Sequence, residues 1–193
     1  MENDVKRWLR EEGEAFLKDI GIRKGQTILD FGCGVGHYTI PAAKVTGKEG
    51  KVYAIDKDRD ALEQLMQTAE SEGLKNVVPI KTSGELKINL EDESADVVLL
   101  YDVLHYMNVK ERREIYDEVY RILKSDGFFS VYPKHLESNG ALWNFSRMEL
   151  ETIIKEIKRE NFYFERKFFK SLIHNDNYDK GYILKFKKER EGN

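Results

Sequence analysis

The sequence predicts an α/β fold: a three-layer α-β-α sandwich built on a mostly parallel seven-stranded sheet that ends in an antiparallel C-terminal hairpin. Three observations carry this expectation. Between Thr27 and Tyr132, five short apolar runs alternate with stretches of helical periodicity. The run Ala95-Asp96-Val97-Val98-Leu99-Leu100-Tyr101 is apolar almost throughout, as a parallel strand covered on both faces requires. Two further strand-like runs, Phe162 to Phe169 and Tyr182 to Lys187, follow one another with no helix between them, so they are expected to pair antiparallel.

Taken in order, Val5, Trp8, Leu9, Phe16, Leu17 and Ile20 have the spacing of an amphipathic helix, bounded by Gly21 and Gly25. Trp8 reads as a packed side chain of that helix, with closure over a ligand as the second reading. The first strand, Thr27 to Phe31, runs into three glycines at alternate positions, Gly32, Gly34 and Gly36, and a helix from Tyr38 to Val45 follows. Lys51 to Ile55 form the second strand, ending at Asp56. Asp58 or Asp60 caps the next helix, whose buried stripe is Ala61, Leu62, Leu65, Met66 and Ala69.

Val77 to Lys81 give a third strand, followed by the polar turn Thr82-Ser83-Gly84-Glu85. After the fourth strand, Asn108 and Glu111 make a capping box for a helix with Ile115, Val119, Ile122 and Leu123 inward. Ser125-Asp126-Gly127 turns the chain into a fifth strand, Phe128 to Tyr132. Ser146 and Glu149 form a second capping box ahead of Leu150, Ile153, Ile154 and Ile157. The stretch Ser171 to Gly181 reads as a long, polar, mobile loop. No repeat or linker divides the chain, so residues 1–193 read as one domain, with a helical cap at 1–24, a core at 25–135, and a helix plus hairpin at 136–193.

Composition narrows the function classes. Hydrophobic residues make up 40% of the 193 residues, enough for a packed core. The net charge of −3 argues against a general affinity for nucleic acid. The single cysteine, Cys33, excludes an internal disulfide framework and a cysteine-built zinc site, and four scattered histidines point to no metal site. No run is long and apolar enough to span a membrane and the first residues do not begin a signal peptide, so the expected setting is the cytoplasm.

The glycine turn is the candidate ligand site, because glycines between a strand and a helix let the backbone turn tightly and approach a ligand closely. A nicotinamide-dinucleotide fingerprint needs its third glycine one place later, where His37 stands. Asp30 at the strand end is also a poor neighbour for a pyrophosphate, since like charges repel. A ligand with a cationic or zwitterionic end suits the turn better. Asp30, Asp56, Ser83 and Asp102 all fall at or just past strand ends, where open α/β sheets bind their ligands.

Asp30-Phe31-Gly32-Cys33-Gly34-Val35-Gly36 resembles motif I of the class I S-adenosylmethionine-dependent methyltransferases, which have the Rossmann-like methyltransferase fold. Asp56 matches the acidic end of that family's second strand, residues 93–105 resemble its fourth-strand motif, and Arg121 to Phe129 resemble the turn after its next helix. The resemblance covers roughly residues 25–135 and implies S-adenosyl-L-methionine as cofactor, with S-adenosyl-L-homocysteine as product. It places Asp30, Gly32, Cys33 and Gly34 at the methionine part, with His37 and Tyr38 at the first helix start. Asp56, followed by Lys57, takes the ribose hydroxyls, and Tyr101 and Asp102 line the methionine end. The family's adenine-contacting acid falls at Gly84 here, leaving Ser83 or Glu85 to serve.

Methyl transfer is an in-line displacement that depends chiefly on alignment, and a general base is needed only when the acceptor has a proton to lose. Asp102 and His105 after the fourth strand are the candidate catalytic residues, ahead of His135 after the fifth. Cys33 reads as a small packed residue. The expected activity is methylation of a small-molecule acceptor, with a catalytically inactive cofactor-binding regulatory or assembly protein as the alternative. Trp8, Trp143, Phe145 and Tyr178 are candidates for an apolar acceptor pocket or for ordinary core packing.

Overall fold

In the computed structural model, which describes residues 3–134 and 149–189, every expected strand forms. They are β1 (Thr27–Phe31), β2 (Lys51–Asp56), β3 (Val77–Lys81), β4 (Ala95–Tyr101), β5 (Leu123–Tyr132), β6 (Phe162–His174) and β7 (Asn177–Lys188). The sheet has the order β3-β2-β1-β4-β5-β7-β6. Pairings β1–β2, β2–β3 and β4–β5 are parallel, and β7 joins β5 antiparallel, with Phe129 opposite Phe186. Helices α1 (Asp4–Arg7), α2 (Gly13–Ile20), α3 (Thr39–Thr46), α4 (Arg59–Ser71), α5 (Val109–Ile122) and α6 (Leu150–Lys158) flank it. This is the α/β sandwich with a mostly parallel sheet that the alternating pattern predicts.

The chain gathers into two compact units, Met1–Gly84 with Lys170–Lys180, and Glu85–Phe169 with Gly181–Asn193. In the first, the short helix α3 is buried nearly all round, with Ile40, Pro41, Ala42, Ala43 and Val45 inside. A helix apolar on every face belongs in a core. Between α1 and α2 the chain makes a π-helical turn, Trp8–Glu12, that carries Trp8 into the interior. Gly13 is required just after it, because a Cβ there would stand 2.6 Å from Pro41 Cγ and 2.9 Å from Trp8 Nε1. Asp58 caps α4 through the amides of Asp60 and Ala61, as one of the two expected caps.

In the second unit the core is aromatic. Phe129 on β5 lies with its ring 5.4 Å from that of Phe162, 6.0 Å from Phe186 and 6.2 Å from Tyr116. The capping box at Asn108 and Glu111 forms as expected. Arg112 on α5 is 2% exposed and holds Glu156 on α6 through two bonds of 2.7 and 2.9 Å.

Three local expectations need correction. The fifth strand starts at Leu123 rather than Phe128: Leu123 pairs with Ala95 and Phe128 with Val97, so the expected turn survives as a bulge of residues 124–127 inside one strand. Helix α6 has Glu149 as its N-cap with no side-chain cap bond; Ser146 lies outside the described residues. The long loop at 171–181 is instead strand, with Leu172 and Ile173 buried. Only Asn175 and Asp176 turn, with φ of 47° and 64°, the two positive values of a type I′ hairpin. Polar composition suggested a loop, but alternation in a hairpin needs only every second residue to be apolar.

Candidate functional site

In the first unit, β1 delivers Asp30 to the start of the glycine turn, 2% exposed, where Thr39 Oγ1 at the head of α3 donates to its Oδ2 at 2.6 Å. Burial pushes the Asp30 carboxyl up to about 6, against the hydrogen bond from Thr39 and with a smaller push from Asp56. Thr39 was not singled out in the sequence; a hydroxyl at a helix start facing an acidic strand end was the available signal.

The amides of the turn are used within the fold. Those of Gly32 and Cys33 both donate to the carbonyl of Ile55, at 2.8 and 3.0 Å, and that of Gly36 to the carbonyl of Cys33. Gly34 donates to Asp56 Oδ2 at 2.7 Å, while Asp58 donates its amide to Asp56 Oδ1 at 2.9 Å. Each Asp56 oxygen therefore accepts one backbone proton and keeps a second acceptor position. Gly34 has φ +52° and a Cβ added there would meet open space. Gly36 is constrained differently, since its Cβ would stand 2.3 Å from Leu65 Cδ1 on α4. One glycine bares the backbone and the other lets it pack.

The four bonded amides offer little to a phosphate, which helix and loop N–H groups would otherwise receive. What the turn presents instead is bare backbone at Gly34 and the Asp56 carboxylate, with the Asp30 carboxyl buried at its start.

Cys33 is buried, and burial pushes its thiol up, with Asp30 and Asp56 adding to the shift, so it stays protonated. It is a packed residue of the turn. His37 is mostly buried, and burial lowers its imidazole while Asp176, 3.3 Å from Nε2, opposes the shift. The carbonyl of His37 accepts the indole N–H of Trp8 at 2.7 Å. Trp8 is 1% exposed and packs edge-on against Tyr38 at 5.5 Å, so the packed reading of this residue holds. The hydroxyl of Tyr38 donates to the carbonyl of Ile173 at 2.9 Å. Lys57 is exposed beside Asp56. Past β3, Ser83 and Gly84 are exposed in a turn closed by the bond from the Gly84 amide to Thr82 Oγ1 at 2.7 Å.

In the second unit, Glu85 is exposed. Tyr101 is buried with its hydroxyl 2.8 Å from Ser130 Oγ, so it leaves only its backbone at the strand end. Asp102 follows with φ +57°, a left-handed conformation that a non-glycine residue rarely holds. Its amide donates to the carbonyl of Tyr132 at 2.9 Å. Its Oδ1 lies 3.4 Å from Nδ1 of His105, which is 4% exposed and packed on the ring of Tyr106. Burial pushes the Asp102 carboxyl up to about 7, with Lys134 pulling the other way. The fold thus brings both expected catalytic residues together. His135, Trp143 and Phe145 lie outside the described residues. Among the described residues no group of His, Cys, Asp and Glu is arranged to hold a metal ion, and no helix is long and apolar enough to cross a membrane.

Known proteins resemble this chain in sequence and in fold. A demethylmenaquinone methyltransferase of Lactobacillus johnsonii is 30% identical over 112 residues, which is 58% of this chain and 45% of that protein. A probable cobalt-precorrin-6B C(15)-methyltransferase (decarboxylating) of Saccharolobus solfataricus is 35% identical over 85 residues, 44% of this chain and 43% of that one. The matched stretch spans less than half of either relative. The crystal structure of a SAM-dependent methyltransferase from Aquifex aeolicus superposes with a TM-score of 0.75 at 24% identity, covering 95% of this chain and 93% of that chain, a likeness of fold. The family model described as "Methyltransferase domain" matches residues 22–187. The chain belongs to the class I S-adenosylmethionine-dependent methyltransferase family.

Proposed function

We propose that this protein binds S-adenosyl-L-methionine at the glycine turn of the first unit and transfers its methyl group to a small-molecule acceptor. The observation that supports this most is the chemistry of the turn. Its glycine amides are bonded internally, and what remains is bare backbone at Gly34 and the Asp56 carboxylate, with the Asp30 carboxyl buried at the start of the turn. Such a surface favours a ligand rich in donors and positive charge over a pyrophosphate. The open space beyond Gly34 and the spare acceptor positions of Asp56 fit an adenosyl group whose two ribose hydroxyls each meet one carboxylate oxygen. When bound, the cofactor supplies a methyl group on a sulfonium, reactive enough that no protein nucleophile is required.

The chain's own residues then have three tasks. Asp56 holds the turn through Gly34 and receives the ribose. Asp30 ties the end of β1 to the head of α3 through Thr39 and lies at the methionine end, with Ser83, Gly84 or Glu85 beside the adenine. Asp102 and His105 handle a proton: Asp102 Oδ1 lies 3.4 Å from His105 Nδ1, and burial pushes the Asp102 carboxyl up to about 7, close to the neutral range in which a general base works. This assignment suits an acceptor that loses a proton as it is methylated. A small-molecule acceptor is supported by the relatives named for demethylmenaquinone and for a cobalt-precorrin.

Calorimetry with S-adenosyl-L-homocysteine tests the reading, with Asp56→Ala as control. Binding that the substitution weakens about tenfold or more supports it, and absence of binding, or binding indifferent to the substitution, overturns it. A labelled-methyl transfer screen across metabolites follows; binding without any turnover would return the regulatory alternative.

A further inference from the structure

We propose that the tip of the C-terminal hairpin, Lys170–Lys180, is a positioning element that holds the end of the glycine turn in its ligand-ready shape; this rests on the donor site assigned above. The first unit takes this stretch from a hairpin whose base belongs to the other unit. Two contacts reach the turn itself: Tyr38 donates its hydroxyl to the Ile173 carbonyl at 2.9 Å, and Asp176 lies 3.3 Å from His37 Nε2.

Other contacts fasten the tip to the N-terminal helix. Lys170 pairs with Asp19, and the amide of Tyr178 donates to Asp4 Oδ2 at 3.0 Å. Arg7 sits over the Tyr178 ring at 4.6 Å and donates to its hydroxyl, while Trp8 meets that ring edge-on at 6.4 Å. Trp8 then closes the circuit by donating to the His37 carbonyl. Helix, turn and tip therefore brace one another around His37 and Tyr38, the two residues where the turn becomes α3.

Several weak contacts matter here because they converge. The Asp176 carboxylate is 76% exposed, and an exposed ion pair contributes little by itself. The buried tyrosine bond and the ring packing give the brace its stiffness. A ligand that binds one backbone shape pays for any time the turn spends in another. If the turn held the competent shape a tenth of the time, apparent affinity would fall about tenfold.

The test uses variants at the tip alone; because Tyr178 is also a candidate acceptor-pocket residue, the readouts are backbone exchange and cofactor-product affinity rather than methyl transfer. Asp176→Gly removes the carboxylate while keeping the positive φ that the turn needs. Combined with Tyr178→Ala it releases the brace; Asp176→Asn with Tyr178→Phe is the conservative counterpart. Two readouts are taken, amide hydrogen exchange of residues 33–39 without any cofactor, and the dissociation constant for S-adenosyl-L-homocysteine. The expected result for Asp176→Gly/Tyr178→Ala is exchange about tenfold faster in that window and affinity about tenfold weaker. The conservative pair should restore both to near the parent values. Unchanged exchange at residues 33–39 overturns the proposal, even when the melting temperature falls, because the tip would then be only a structural support. Faster exchange in the Asp176→Gly/Tyr178→Ala variant, with a parent protein that binds no S-adenosyl-L-homocysteine, would uphold the brace and overturn the cofactor assignment instead.

Discussion

Gly34 and Asp56 are joined by a 2.7 Å hydrogen bond from amide to carboxylate, twenty-two residues apart in sequence. The acid expected to take a ribose is thus also the post on which the glycine turn hangs. Replacing Asp56 by Ala removes both roles at once. Hydrogen bonds to a charged group are worth enough that the dissociation constant for S-adenosyl-L-homocysteine should rise about 10- to 100-fold. Asp56→Asn, which keeps one acceptor oxygen, should lose less. Titration calorimetry on both variants checks the order.

Two glycines of the same turn should separate binding from stability. Gly36→Ala places a methyl group 2.3 Å from Leu65 Cδ1 at φ +91°, and should destabilise the fold by about 2–4 kcal/mol. Gly34→Ala meets no neighbour and should cost about 1–2 kcal/mol from its positive φ alone. Its methyl group projects where the ligand is proposed to lie, so its larger effect should be on affinity. Thermal unfolding and ligand titration of the pair distinguish the two.

Acid should help this fold where it harms most. Asp30 and Asp102 hold their protons up to about 6 and about 7, whereas an unfolded aspartate releases its proton near 4. Between those values the native state binds more protons than the unfolded one. The contribution of these two groups to stability therefore falls as pH rises from about 4 to about 7. Asp102→Asn should remove the decline above about pH 6 and roughly halve it between about 4 and 6, where Asp30 still contributes. Urea midpoints at half-unit pH steps for parent and variant show it. An unchanged slope would mean that Asp102 ionises normally.

The buried Arg112–Glu156 pair gives a prediction independent of function. Glu156→Ala leaves a guanidinium that is 2% exposed without its main partner, and should cost about 3–5 kcal/mol. Replacing both partners by apolar residues, as Arg112→Met with Glu156→Leu, should recover most of that loss. Denaturant unfolding of the single and double variants is the measurement.

Much of the architecture was legible because periodicity reports burial. The apolar run at Ala95 to Tyr101 and the paired caps at Asn108 and Glu111 predict elements found within a residue of expectation. The strand-end acids were legible too, since Asp30, Asp56 and Asp102 each stand where an apolar run stops. What escaped was everything set by long-range pairing. The bulge of residues 124–127 follows from the register of β5 on β4, and no local pattern encodes it. Asp176 meets His37 across nearly 140 residues, a contact that follows from strand length at the hairpin and not from composition. The tight turn of the expected hairpin was signalled by Asn175-Asp176, a pair suited to positive φ, but its polar neighbours read as a long loop.

The two-residue turn at Asn175 and Asp176 also sets how this region tolerates change. Leu172 and Ile173 are adjacent and both buried, so opposite faces of β6 are covered at its end. An inserted residue between Ile173 and the turn would exchange those faces and move the carbonyl that Tyr38 holds. Hairpin ends commonly absorb insertions during divergence. Here substitutions that respect alternation are the permitted currency of variation, and a change in length is the forbidden one.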